Sequence, residues 1–145
     1  MNGPTMNNRM EDDPPPPEIQ SNDVLARDAV TDAASVKHIL ISWKDQAGAF
    51  GGVDKMDPRA ANRSRAEADR IATDLLARVR AGEPIEPLME EFSEDPGSAS
   101  TASSYEVKAD SQYVFEFKRM GLRLNVGESG LVMSEFGWHI MKRTE

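Results

Sequence analysis

The chain contains two histidines, His38 in "VKHILISW" and His139 in "FGWHIMKRTE", and each lies within a short apolar stretch. An imidazole can exchange a proton near neutral pH or ligate a metal through either ring nitrogen. A metal site needs further ligands at recognisable spacing, and no third ligand stands at such a spacing from either histidine, so no metal is expected. With no cysteine in the chain, thiolate nucleophiles, disulfides and cysteine-ligated zinc are excluded. No serine sits in a nucleophile-elbow pattern. Gly51-Gly52 is not followed by a strand-to-helix phosphate signature, and no cofactor is expected. The acids are scattered over helix exteriors, where they read as solvated surface. Residue types alone therefore leave two histidines that hydrogen-bond inside a core.

The elements that must position them follow from periodicity. In "SVKHILISW", Ile39, Ile41 and Trp43 alternate with His38 and Leu40, and both faces are largely apolar. That pattern predicts a central strand covered on two sides. Lys44 to Arg63 is rich in glycine and polar residues and reads as a long surface loop. Ser64-Arg-Ala-Glu67 fits a capping box, and Ala68, Ile71, Ala72, Leu75, Leu76 and Val79 follow as one apolar stripe up to Gly82. A second helix begins near Pro84, with Ile85, Leu88, Met89 and Phe92 on its buried face. "SEDPGSASTASSYEVKADSQ" reads as loop with a short strand at Tyr105–Lys108, and "YVFEFKRMGLRL" as a short helix. "VGESGLVMSEFGWHIMKRTE" predicts two strands joined by a tight turn at Ser134–Gly137. This order predicts an α+β fold with a mostly antiparallel sheet.

At 145 residues, the chain has room for one domain and an extension. Residues 1–22 carry four consecutive prolines among polar and acidic residues and are expected to be disordered; residues 23–34 read as a weak helix or a linker. The expected division is a tail and linker over 1–34 and a folded domain over 35–145. The formal net charge of −8 argues against nucleic-acid binding. Much of it is local, since seven acids precede Ser35 against Arg9 and Arg27. No run of eighteen apolar residues is present, so no membrane span is expected. The amino-terminal text has no apolar signal-peptide core, and a cytoplasmic location is expected.

Three stretches resemble the parvulin family of peptidyl-prolyl cis/trans isomerases. "VKHILI" is similar to the family's first strand with its histidine. "ARVRAGEPIEPLMEEFSEDPGSA" is similar to the helix–Gly–helix segment that ends in Phe-Ser-x-Asp-Pro-Gly-Ser-Ala. "LNVGESGLVMSEFGWHIMKRTE" is similar to the closing hairpin, with Val-Gly-Glu and Phe-Gly-x-His-Ile. Together they span about Ser35 to Glu145. The resemblance implies a four-stranded, mostly antiparallel sheet packed by about four helices, and isomerisation of X–Pro bonds in polypeptides by a monomer that assists folding. It implies that His38 and His139 join in one hydrogen-bonded network beneath the active site. Asp95 is then beside the rotating peptide, and Phe117, Tyr113 and Tyr105 enclose the proline.

Two departures from the family pattern stand out. The usual Gly-Gly-Asp-Leu-Gly turn is replaced by Ala102-Ser103-Ser104-Tyr105-Glu106, which removes positive-φ options and predicts another path for that wall. Tyrosines at 105 and 113 replace leucine and methionine, narrowing the pocket and adding hydroxyls that need partners. These departures favour an alternative reading, a parvulin-like peptide-binding or chaperone module with weak turnover. In the first loop Lys44, Lys55 and Arg59 are interleaved with Asp45, Asp54 and Asp57, so phosphate selection is not expected.

Overall fold

The strand that carries His38 lies inside the sheet, not at its edge. A computed structural model describes residues 19–145, and β1 (Ala33–Ile41) pairs on one side with β2 (Tyr105–Lys108) and on the other with β4 (Gly137–Arg143). β3 (Ser129–Ser134) completes an antiparallel sheet of order β2-β1-β4-β3. The expected tight turn is the β3–β4 connection, where Ser134 pairs with Gly137. Gly137 has a φ of 130°, and a Cβ there would come within 2.6 Å of the Ile41 carbonyl oxygen, so only glycine fits.

The alternation read from β1 places two cores on the two faces. Ile39, Ile41, Leu131, Trp138 and Ile140 pack against the long helix Arg65–Arg80 and the helix Ile85–Phe92. The long helix opens with the expected capping box: the Ser64 hydroxyl accepts from the Glu67 amide, and the Glu67 carboxylate accepts from the Ser64 amide. The opposite face, with Val36, Val132 and Met141, packs against Phe117, Met120, Leu122 and Leu124 in and after the helix Phe115–Gly121. Both histidines share this second face. Register sets them diagonally across the β1–β4 pair, since His38 opposes Met141 and His139 opposes Leu40.

Three sequence expectations change. First, the folded unit begins well before Ser35. A helical turn over Asn22–Leu25 buries Val24 and Leu25 against the Phe117 core, and β1 itself starts at Ala33. Ser21 exchanges two hydrogen bonds with Leu131, and the Gln20 side chain accepts from the Met133 amide, so residues 20–21 cover the open edge of β3. Arg27 then forms a two-pronged ion pair with Glu128. The part of the proline-rich tail that covers residues 1–18 lies outside the described residues. Second, the segment from Lys44 to Arg63 is built from short helical turns, at Lys44–Gln46, Ala47–Phe50, Val53–Lys55 and Pro58–Ala61. Third, part of the expected loop after Ser93 is helical over Pro96–Thr101. Asp95 caps it by accepting from the Gly97 amide, and Pro96 takes the first turn, where no amide donor is needed.

Candidate active site

The site is built on an unfinished strand pairing. β2 covers only Ala33 to Val36 of β1, which leaves the backbone groups of residues 38, 40 and 42 facing that side without a strand. The segment "FSEDPGSA" takes its place. The Leu40 amide donates to the Ser93 hydroxyl, the Glu94 amide donates to the Leu40 carbonyl, and the Ser98 hydroxyl donates to the His38 carbonyl. The Ser42 amide donates to the buried Glu94 carboxylate at 2.7 Å. Arg63 closes this arrangement, reaching both Glu94 and the Ser42 carbonyl. Burial nevertheless raises the Glu94 pKa above the ordinary carboxylate range. The serine-rich motif is thus a substitute strand edge, and it delivers Asp95 to His38.

Asp95 Oδ2 lies 2.9 Å from His38 Nε2 and 3.0 Å from the Tyr105 hydroxyl. His38 Nδ1 lies 3.3 Å from His139 Nδ1, and His139 Nε2 lies 2.6 Å from the Ser134 hydroxyl. The hydrogen bond from His38 lowers the Asp95 pKa, aided by Tyr105 and the Gly97 amide, so the carboxylate is ionised. Burial pushes His139 down to about 3, so its ring is neutral. Burial and the neighbouring Asp95 charge raise the Tyr105 pKa, so the phenol keeps its proton and donates.

His139 is neutral and carries one N–H, and when its Nδ1 donates to His38 every partner in the line is satisfied. Ser134 donates to His139 Nε2, His139 Nδ1–H donates to His38 Nδ1, and His38 Nε2–H donates to Asp95. Every donor in the chain points toward one carboxylate.

Around this line runs an open groove of about 460 Å³, lined by His38, Leu40, Asp95, Tyr105, Tyr113 and Phe117 among others. Phe117 is buried and meets the rings of His38, His139, Tyr105 and Tyr113 at centroid distances of 5.0, 5.6, 6.0 and 5.3 Å. Three aromatic rings and two imidazoles therefore enclose an apolar cup, and an ionised carboxylate stands on its wall.

Residues 23–145 match the family described as the PPIC-type PPIASE domain. The chain belongs to the parvulins. It is 28% identical over 125 residues to the foldase protein PrsA of Geobacillus kaustophilus, covering 85% of this chain and 43% of that protein. It is 37% identical over 81 residues to the chaperone SurA of Pseudomonas aeruginosa, covering 55% of this chain and 19% of that one. Among solved structures, the peptidyl-prolyl isomerase ESS1 from Candida albicans matches with a TM-score of 0.62 at 22% identity, over 79% of this chain and 63% of that chain. The parvulin chain thus spans less than half the length of the curated relatives it matches here.

All six residues singled out from the sequence, His38, Asp95, Tyr105, Tyr113, Phe117 and His139, line the same groove of this parvulin domain. The tyrosine hydroxyl at 105 finds the partner it needs in Asp95. The altered turn keeps a left-handed residue without glycine: Ala102 itself takes φ 52°, ψ 28° and ends the Pro96–Thr101 helix. β2 follows three residues later and pairs in register with β1, with a strained alanine at the turn.

Sequence reasoning missed Ser134, which holds His139; its only signal was its place at the start of the tight turn. It also missed Phe50 and Phe136, whose rings meet edge to face at 5.3 Å and line the groove. Phe50 was hidden in text that read as polar loop. No helix among the described residues is long and apolar enough to cross a membrane.

Proposed function

We propose that this parvulin domain rotates X–Pro peptide bonds in polypeptides and so assists their folding, as a monomer and without requiring a phosphorylated substrate. The observation that carries this reading is the Asp95 carboxylate, fixed by His38 and Tyr105 on the wall of an aromatic groove.

Amide resonance sets a barrier of about 20 kcal/mol, and it places extra negative charge on the carbonyl oxygen only while the amide is planar. Twisting the bond removes that charge. A carboxylate beside the oxygen therefore raises both planar forms more than the twisted one, which lowers the barrier. The effect grows where aromatic walls exclude water from the charges. Phe117 and Tyr113 hold the proline ring while the carbonyl swings past Asp95. The two histidines do not touch the peptide in this scheme; they position the carboxylate and keep it ionised.

Phosphate independence is supported by the engagement of the loop arginines. Arg59 is held two-pronged by Asp57 and also donates to the Glu91 carbonyl, and Arg63 is held by Glu94. Protease-coupled isomerisation of a panel of X–Pro peptides tests the proposal. Catalysed rotation of unphosphorylated peptides is the expected result, and rotation at the uncatalysed rate on every peptide overturns it.

A further inference from the structure

We infer that the Tyr105 hydroxyl is a positioning group that holds the Asp95 carboxylate independently of the histidine line, so that the site keeps its charge when the line turns its donor away. The inference rests on the isomerase reading above and deepens it by naming a further positioning residue for the same reaction.

Three donors converge on Asp95. His38 Nε2 and the Tyr105 hydroxyl share Oδ2, at 2.9 and 3.0 Å, and the Gly97 amide takes Oδ1 at 3.1 Å. The first two arrive from different strands. Tyr105 pairs with Val36, two residues before His38, so both side chains stand on one face of the sheet, with ring centroids 5.3 Å apart. The phenol is set in place by other rings, those of Tyr113 and Phe117 at 5.7 and 6.0 Å. Gly97 leaves its oxygen room, since a Cβ there would come within 3.0 Å of the hydroxyl.

The two donors differ in what they depend on. As a neutral ring, His38 offers Nε2–H to Asp95 only while its Nδ1 accepts from His139, and that arrangement requires Ser134 to donate to His139 Nε2. Reversal of these protons turns a lone pair toward the carboxylate. A phenol has one proton and a carboxylate only accepts, so the Tyr105 bond has a single direction. Burial and the Asp95 charge keep that proton on the phenol. A leucine at this position, usual in the parvulin pattern, could not make the bond.

The titratable groups around Asp95 are His38 on β1, Tyr105 on β2 and His139 on β4, with Glu94, Tyr113 and Glu135 lining the same groove. His38 and Tyr105 donate to the carboxylate, and both bonds lower its pKa, His38 first and Tyr105 after it. Loss of the hydroxyl therefore raises the pH at which Asp95 gives up its charge.

The test removes the hydroxyl alone, in Tyr105→Phe, which keeps the ring beside the proline. Asp95 is titrated through its 13C carboxyl shift, and the rotation rate of a bound Ala-Pro peptide is followed across pH, per folded protein as fixed by urea melts. The carboxyl titration and the acid limb of rotation should both move to higher pH in Tyr105→Phe. His38→Leu and the double variant complete a cycle. Each single change should slow rotation about twofold and the double about tenfold, more than the product of the two, because either donor alone still holds the carboxylate. A titration that Tyr105→Phe leaves in place overturns the inference, whether or not any peptide is turned over. So does a double variant no slower than His38→Leu, or a Tyr105→Phe chain as slow as the double. The titration of Tyr105→Phe decides alone should His38→Leu not fold. A wild type that rotates no peptide, with the titration shifted as expected, upholds the hold on Asp95 and refutes only the isomerase reading.

Discussion

Asp95→Asn separates the charge of the carboxylate from its hydrogen-bonding shape. The amide keeps one oxygen for the Gly97 amide, so the helix at Pro96 stays capped. Its nitrogen replaces the oxygen that faces His38 and Tyr105, and it brings two donors to a place where two donors already point. The histidine chain can resolve that clash by reversing. His38 Nε2 becomes the acceptor, His38 Nδ1–H donates to His139 Nδ1, and His139 Nε2–H donates to the Ser134 hydroxyl. The histidine line keeps all its partners, while the Tyr105 hydroxyl must turn to accept from the new amide and point its own proton into the groove, so the stability loss should be about 1 kcal/mol. Asp95→Ala, by contrast, removes the helix cap, worth about 1 kcal/mol. It also removes a charge-assisted bond worth about 1.5 kcal/mol before water in the groove compensates. The Asp95 side chain is 31% exposed, so that compensation is substantial and the total should be about 2 kcal/mol. The rotation rate of bound peptide should nonetheless fall in both variants by about tenfold or more, equivalent to about 1.4 kcal/mol in the barrier. Urea melts, peptide rotation rates and 15N shifts of the two imidazoles give the three readouts. An Asp95→Asn chain that rotates X–Pro bonds as fast as wild type would refute the electrostatic argument. Unchanged tautomers would refute the reversal.

The acid limb of stability should be set first by His139. Its folded pKa is depressed to about 3 from 6.5, so the unfolded chain binds the extra proton as pH falls below about 6.5. The contribution is complete above that value and is lost toward pH 3 at a slope of about 1.4 kcal/mol per pH unit. His139→Gln should flatten that limb in urea melts at pH 6.5 and 5, and an equal slope would refute it. Leu25→Ala should cost about 2–3 kcal/mol, because the side chain is buried against the Phe117 core; a neutral result would return the domain boundary to Ser35. Ala102→Gly should stabilise the fold by about 0.5 kcal/mol, relief of left-handed strain exceeding the loss of a buried methyl. A destabilised variant in thermal melts would show that the strain is negligible.

What could be read from the chain divides by the range of the interaction. Periodicity located the long helix and its Ser64–Glu67 cap, because those partners lie three residues apart. It placed His38 and Leu40 on one face of β1 and Ile39 and Ile41 on the other, because alternation is a property of the strand alone. It missed the Pro96–Thr101 helix, whose glycine, serines and threonine have little helical preference of their own. That turn is held by the Asp95 cap and by Ser98 reaching back to the His38 carbonyl. It missed Val24 and Leu25 because their burial depends on residues about a hundred positions later. The site was legible only through resemblance. Nothing local to "VKHILI" announces Asp95, and the Tyr105–Asp95 and Ser134–His139 bonds exist only once the sheet is closed.

Because β4 is laid between β1 and β3, the order of the sheet governs how the protein is made as well as how it stands. A chain growing from the ribosome can pair β1 only with β2, and can hold β3 only against Gln20 and Ser21, until Gly137 to Arg143 have emerged. The pairing that brings His139 to His38 spans 101 residues, so it comes late and carries a large loop-closure cost. Up to that moment Phe117, Val132 and the apolar row of β1 lie open on both sides of a gap one strand wide. A domain without β4 therefore exposes the apolar surface that favours aggregation. The sheet closes only when β4 takes its place between β1 and β3.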